Sequence, residues 1–165
     1  MSPNRNSVTD SESDLIRGLY PKLRRFAAVV APVDMEPDDR LQEALVKTLR
    51  NRRLDSLEYP AAYLWKAMSS LAMDGRRSSK RRGKALARLG RPEPYIETYP
   101  SDLAVLETLS PKSRAVLYLH DVEGLPFQDI AVALGGKASS LRRTATRARR
   151  TLLRALSEEE LDATA

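Results

Sequence analysis

The sequence contains no cysteine and a single histidine, His120. Disulfides, thiolate catalysis and cysteine zinc sites are therefore excluded, and one imidazole builds no metal cluster, so neither a metal nor a cofactor is expected. No apolar run approaches the ~20 residues a helix needs to cross a bilayer. The opening stretch MSPNRNSVTDSES is polar and lacks the apolar centre of a signal peptide, which leads to the expectation of a cytoplasmic protein. Acidic residues are also missing from Ala138 to Leu156, where six arginines stand. A helix packed only on its own core gains nothing from that charge, whereas an acidic partner would explain it.

What is present fits such a partner. Of 165 residues, 42% are apolar and 30% charged, a balance that supports a folded core. The net charge is +6 and the isoelectric point about 9.8, which favours nucleic acid or an acidic membrane face over a neutral ligand.

The chain reads as all-α: two small helical domains joined by a flexible linker. Residues 1–13 form a flexible tail. From Asp14, Leu15, Ile16, Leu19, Leu23, Phe26, Ala27 and Val30 recur at helical steps, with Pro21 as an interruption. Pro37 suits a first helical position, and the helix it opens carries Asp38 and Asp39 in its first turn and Lys47 in its last. Pro60 opens a third helix with Leu64, Ala67, Met68 and Leu71 on its buried side. Its extension, GRRSSKRRGK, is strongly basic, and the first domain closes at residue 82. Residues 83–102 lose the pattern and change charge sign, as a linker does. Helices resume over 103–156, with Ser110-Pro111 as a cap and first-turn proline. An acidic tail, 157–165, closes the chain.

The stretch FQDIAVALGGKASSLRRTATRARRTLLRAL, from Phe127 to Leu156, fits a helix-turn-helix. Ile130 and Leu134 face inward, Ala131 is small where two helices approach, and Gly135 follows where a tight turn favours positive φ. Leu141 is the next inward residue. The rest of that second helix presents Ser139, Ser140, Arg142, Arg143, Arg147 and Arg150, hydroxyls and guanidinium forks suited to phosphates and guanine edges in a major groove. The same pattern also suits an ordinary helical hairpin with a solvated basic face.

LSPKSRAVLYLHDVEGLPFQDIAVALG followed by RARRTL resembles the C-terminal domain of bacterial extracytoplasmic-function (ECF) sigma factors. The first half agrees: PDDRLQEALVKTL resembles their polymerase-docking helix, and YPAAYLWKAMSSLAMDGRRSSKRR the helix that opens and reads the minus-ten element. The resemblance implies that Asp39, Gln42 and Glu43 bind core RNA polymerase. It implies that Tyr63, Trp65, Lys66, Arg76 and Arg77 serve the minus-ten strand, with Trp65 either stacking on bases or lying in the core. Arg53–Tyr59 matches the loop that captures an extruded base, with Asp55, Ser56 and Glu58 as candidate donors and acceptors. Glu93, Glu97 and Asp102 match a linker threaded through the polymerase cleft. Ser70, Gly75, Gly136-Lys137 and Ala145 depart from the family's usual residues.

The implied function is that of an alternative sigma factor, not an enzyme. Its partners would be core RNA polymerase, promoter DNA and an anti-sigma protein, with no small-molecule substrate. Two other readings stand beside it: a stand-alone helix-turn-helix regulator, and a sigma mimic that titrates an anti-sigma protein.

Overall fold

The structure is a computed structural model and describes residues 8–32, 34–88, 90 and 104–164. The fold is all-α. Six α-helices are present among the described residues: α1 (Asp10–Val30), α2 (Pro37–Leu49), α3 (Pro60–Arg88), α4 (Pro111–Leu117), α5 (Phe127–Leu134) and α6 (Ala138–Thr164). The linker acids Glu93, Glu97 and Asp102 lie outside the described residues.

The helices of the first half meet along their apolar stripes. Leu23, Phe26, Ala27 and Val30 of α1, Leu41 and Ala44 of α2, and Leu64 and Met68 of α3 are all fully buried. Leu54, from a short 3-10 turn between α2 and α3, joins them. In the second half Val116, Leu119, Ile130, Leu141 and Ala145 form the corresponding centre. Full burial of one such leucine or phenylalanine contributes about 1.5–3 kcal/mol.

The two halves share one continuous hydrophobic cluster. Phe26 sets its ring edge-on to Tyr118 of the second half at 5.6 Å and tilted to Trp65 at 6.1 Å. Arg114, on α4, is 5% exposed and donates from Nη1 to the carbonyl of Ala31 at 3.2 Å. That carbonyl lies just past α1, where a helix leaves its last acceptors unpaired. Arg76 of α3 donates to the carbonyl of Leu109 at 3.2 Å, and Lys22 pairs with Glu123 at 2.9 Å.

Several helix limits differ from those the sequence suggests. α1 begins at Asp10 rather than near residue 14, because Thr9 and Glu12 close a capping box around its first turn. It then runs through Pro21 unbroken; that residue is exposed, so water can serve the carbonyl left without a donor. α3 continues past Gly83 to Arg88, since the glycine costs only about 1 kcal/mol and Ala85, Leu86 and Ala87 favour helix. α6 passes residue 156 and takes in SEEELDAT, which holds neither glycine nor proline.

Candidate nucleic-acid interface

The helix-turn-helix is formed by α5, a glycine turn and α6. Gly135 ends α5 at φ 84° and Gly136 follows at φ 98°, both in the region that disfavours side chains. The carbonyl of Lys137 then accepts from the amide of Leu141 at 3.0 Å, so α6 starts without a side-chain cap from Lys137. Leu141, Ala145 and Ala148 are buried at helical spacing. Ala145 is fully buried, and its small side chain permits close packing beneath α6.

That packing leaves Ser139, Ser140, Arg142, Arg143, Arg147 and Arg150 exposed together. Thr144, Thr146 and Thr151 turn their hydroxyls back to carbonyls of their own helix at 3.0–3.1 Å, which leaves the arginines as its outward cationic donors. Among the described residues Arg142, Arg143, Arg147 and Arg150 make no ion pair. Arg149 differs: Asp121 takes its Nη2 at 2.5 Å and its Nε at 3.1 Å. That hydrogen-bonded carboxylate raises the arginine above its ordinary range.

The start of α6 is braced. His120 stacks on Phe127 with centroids 4.1 Å apart, and the Arg142 guanidinium lies 5.6 Å from the same ring. A carbonyl from the turn before α5, that of Leu125, lies 2.9 Å from His120 Nδ1. A π-turn over Tyr118–Val122 widens the backbone there.

On α2, Asp39, Gln42 and Glu43 line one shallow open groove with Val46 and, from α3, Leu71. Val46 is half exposed, an apolar spot among polar neighbours. Glu43 pairs at 2.9 Å with Arg40, whose side chain is 4% exposed.

The α3 residues do not form one open face. Lys66 and Arg77 are exposed, and Tyr63 is half-buried with the Arg52 guanidinium 5.8 Å from its ring. Trp65 is only 5% exposed and packs on Phe26, so base stacking is closed to it in this arrangement. Lys22 covers its ring at 5.2 Å. Arg76 is exposed as well, with its Nη1 donating to the carbonyl of Leu109.

The loop between α2 and α3 carries polar contacts within itself and to the start of α1. Arg53 grips Asp55 with Nη2 at 2.6 Å, a hydrogen-bonded pair that holds this carboxyl below its usual range. Ser56 donates to the carbonyl of Arg53 at 2.7 Å. Tyr59, at the loop's end, is 65% exposed. No group of three or more potential metal-ligating side chains occurs among the described residues, and no helix of theirs is long and apolar enough to cross a membrane.

Sequence reasoning missed Glu12, Arg40 and Arg114, the buried charged residues. The TDSE capping box at residues 9–12 was the available signal for the first. Nothing in helical periodicity marks an arginine as buried.

Comparison with known proteins agrees with this geometry. Residues 103–152 match the family model "Sigma-70, region 4". A Mycobacterium tuberculosis protein named "Probable ECF RNA polymerase sigma factor SigI" is 48% identical over 50 residues, 30% of this chain and 17% of the relative. "ECF RNA polymerase sigma factor SigJ", from the same species, is 30% identical over 109 residues, 56% of this chain and 35% of the relative. The matches thus span well under two thirds of either relative's length. Among solved structures, the sigma factor RpoE in complex with the anti-sigma factor NepR from Bartonella quintana shares the fold at TM-score 0.66 and 20% identity, covering 90% of this chain and 98% of that one.

Proposed function

We propose, from the premise that residues 103–152 belong to the sigma-70 region 4 family, that this chain is an alternative sigma factor of the ECF type. It would act as a dissociable subunit that recruits core RNA polymerase and directs it to a promoter. The observation that carries this reading is the arginine face of α6. Arg142, Arg143, Arg147 and Arg150 stand exposed on a helix whose opposite side, through Leu141, Ala145 and Ala148, is buried.

Placement supports the following division of labour. α6 enters the major groove of the upstream element, where Arg142 and Arg143 reach base edges and Arg147 and Arg150 hold phosphates. Ser139 and Ser140 add hydroxyl contacts at the entering end. Asp39, Gln42 and Glu43 present the α2 groove to the polymerase. Lys66 and Arg77, with the Arg53–Tyr59 loop, hold the minus-ten strand once it is single. Tyr63 is half available for that strand, Arg76 is exposed beside Arg77 with one Nη1 donor held by the carbonyl of Leu109, and Trp65 lies covered by Phe26 and Lys22 of α1.

The protein performs no chemistry of its own. Promoter melting is driven by tighter binding to the opened strand than to the duplex. Work of this kind is done in the cytoplasm. An anti-sigma partner is supported by the NepR complex of the structural relative. The test is co-purification with core RNA polymerase, followed by run-off transcription from promoters selected by the resulting holoenzyme. Failure of the chain to bind core polymerase would overturn the reading. Tight, sequence-selective binding by the isolated chain would favour a stand-alone regulator.

A further inference from the structure

Glu12 is unusual for a glutamate in the first turn of a helix. Such residues ordinarily face water, yet this one is 3% exposed. The capping box accounts for half of its carboxylate. Oε2 accepts from the amide of Thr9 at 3.2 Å and from the Thr9 hydroxyl at 3.4 Å. The other oxygen, Oε1, accepts from the amide of Leu54 at 2.9 Å, a partner 42 residues away. Burying a carboxylate is costly unless its oxygens are occupied, and a helix cap alone does not require the second bond or the burial.

The second bond lies at the base of the loop. Leu54 is fully buried, so its amide anchors the loop from inside. Beside it, Arg53 Nη2 donates to the hydroxyl of Thr9 at 3.2 Å while the same guanidinium grips Asp55. The turn then closes on itself, the amide of Leu57 donating to the carbonyl of Leu54 at 3.1 Å. Thr9 and Glu12 therefore fasten three successive loop residues, directly or through Arg53. The stretch beyond them, Glu58 and Tyr59, stays exposed.

We propose that Glu12, with Thr9, is a positioning residue for base capture: it fixes the Arg53–Tyr59 loop in the form that reads one unpaired promoter base. The inference rests on the promoter-opening role proposed above. Reading an extruded base requires donors and acceptors held at fixed places, and a loop of this length does not hold them unaided. The start of α1 supplies the missing support. Base preference at one minus-ten position thus depends on residues that do not touch the DNA.

The experiment uses holoenzyme assembled from core polymerase and the full chain, as wild type, Glu12→Gln and Arg53→Lys. Glutamine keeps the size of Glu12 but sets an NH2 group against one of the two amides. Lysine keeps the charge beside Asp55 and loses the fork that reaches Thr9. Run-off transcription is measured on promoters substituted base by base through the opened segment and the upstream element, and exchange of the Leu54 amide is followed in parallel. Glu12→Gln is expected to speed that exchange and to loosen base preference at one minus-ten position by roughly threefold to tenfold, the span of one lost hydrogen bond. Upstream preference stays unchanged. Arg53→Lys acts at the same position and more weakly, and it carries the test if Glu12→Gln fails to fold. Faster exchange with unaltered preference overturns the inference, as does equal loss at minus-ten and upstream positions. A wild-type holoenzyme without promoter selectivity overturns the promoter reading and this inference with it. A selective wild type with unaltered variants overturns this inference alone.

Discussion

The two longest helices, α3 and α6, both carry runs of basic residues, and the fold uses the two runs differently. On α6, buried Leu141, Ala145 and Ala148 take one side and leave the arginines free on the others. On α3, Trp65 lies under Phe26 and Lys22 of α1, and Arg76, though exposed, has one donor tied to the carbonyl of Leu109. A basic helix is thus open or occupied according to what its neighbouring residues pack against, and charge density alone does not distinguish the cases. The arginines Arg142, Arg143, Arg147 and Arg150 of α6 are open to solvent as they stand. On α3, Lys66, Arg76 and Arg77 are open as well, and Trp65 is the buried member of the set, covered by α1.

The largest effect should come from the junction that creates this difference. Phe26 is fully buried and touches aromatic rings of both halves. Phe26→Ala is expected to cost about 3–5 kcal/mol of stability, measured by urea denaturation, and to split unfolding into two steps. Trp65 is the sole tryptophan, so its fluorescence reports the junction directly. Acrylamide should quench it more strongly in the variant. A single transition with unchanged quenching would mean that α3 is no more occupied than α6.

The arginines of α6 should give a smaller but more selective effect. Arg142 or Arg143→Ala is expected to cost about 1–3 kcal/mol at the preferred upstream element and to relax preference at one base pair. Holoenzyme binding to substituted upstream elements measures it. Equal weakening on every sequence would reassign both residues to phosphate contact. The stacked His120, Phe127 and Arg142 make Arg142 the better-held of the two.

A third contrast lies within the α2 groove. Charge reversal at Asp39 and Glu43 together looks, from the sequence, like a clean test of polymerase binding, because both face outward. The structure separates them. Glu43 is the ion-pair partner of Arg40 through Nη1; that side chain is buried and its Nε has no hydrogen-bond partner among the described residues. Glu43→Ala is expected to destabilise the first half by about 1–3 kcal/mol through that stranded charge. Asp39→Ala should leave stability unchanged and weaken only core polymerase binding. Thermal unfolding beside a polymerase affinity measurement tells the two apart, and equal melting temperatures would free Glu43 for a direct contact.

These contrasts also show where the sequence was legible. Apolar spacing located all the main helices, and Gly135 announced the turn before α6 because positive φ leaves few alternatives to glycine. The outward set on α6 follows from helical spacing once Leu141 faces inward. The same periodicity could not decide Trp65, whose ring suits a core and a base stack equally; only Phe26 and Lys22, distant in sequence, settle it. Arg114 was invisible for a related reason. Its partners are the Glu107 carboxylate at 3.4 Å and a backbone carbonyl 83 residues away, and the carbonyl carries no side-chain signal. The polar start of the chain was read as a tail by composition, although Thr9 and Glu12 already held the spacing of a capping box. Local composition describes a segment's average, whereas Glu12 is fixed by Leu54.

The smallest expected effect separates neighbouring arginines on α6 itself. Arg149 and Arg150 are adjacent in sequence and equal in charge, yet Asp121 takes two donors of the first. An arginine already paired with a carboxylate brings little net positive charge to a phosphate, and releasing it would break that pair first. Arg150→Ala should lower the salt dependence of promoter binding by about one unit of logarithmic slope, as expected for one lost phosphate contact. Arg149→Ala should leave the slope nearly unaltered, and its pair with Asp121, exposed on both sides, should contribute less than about 1 kcal/mol to stability. Binding titrations of the two variant holoenzymes between low and moderate salt make the comparison. If Arg149→Ala flattens the slope as much as Arg150→Ala does, the ion pair opens on DNA. The basic face of α6 then extends one row further around the helix than the unbound arrangement displays.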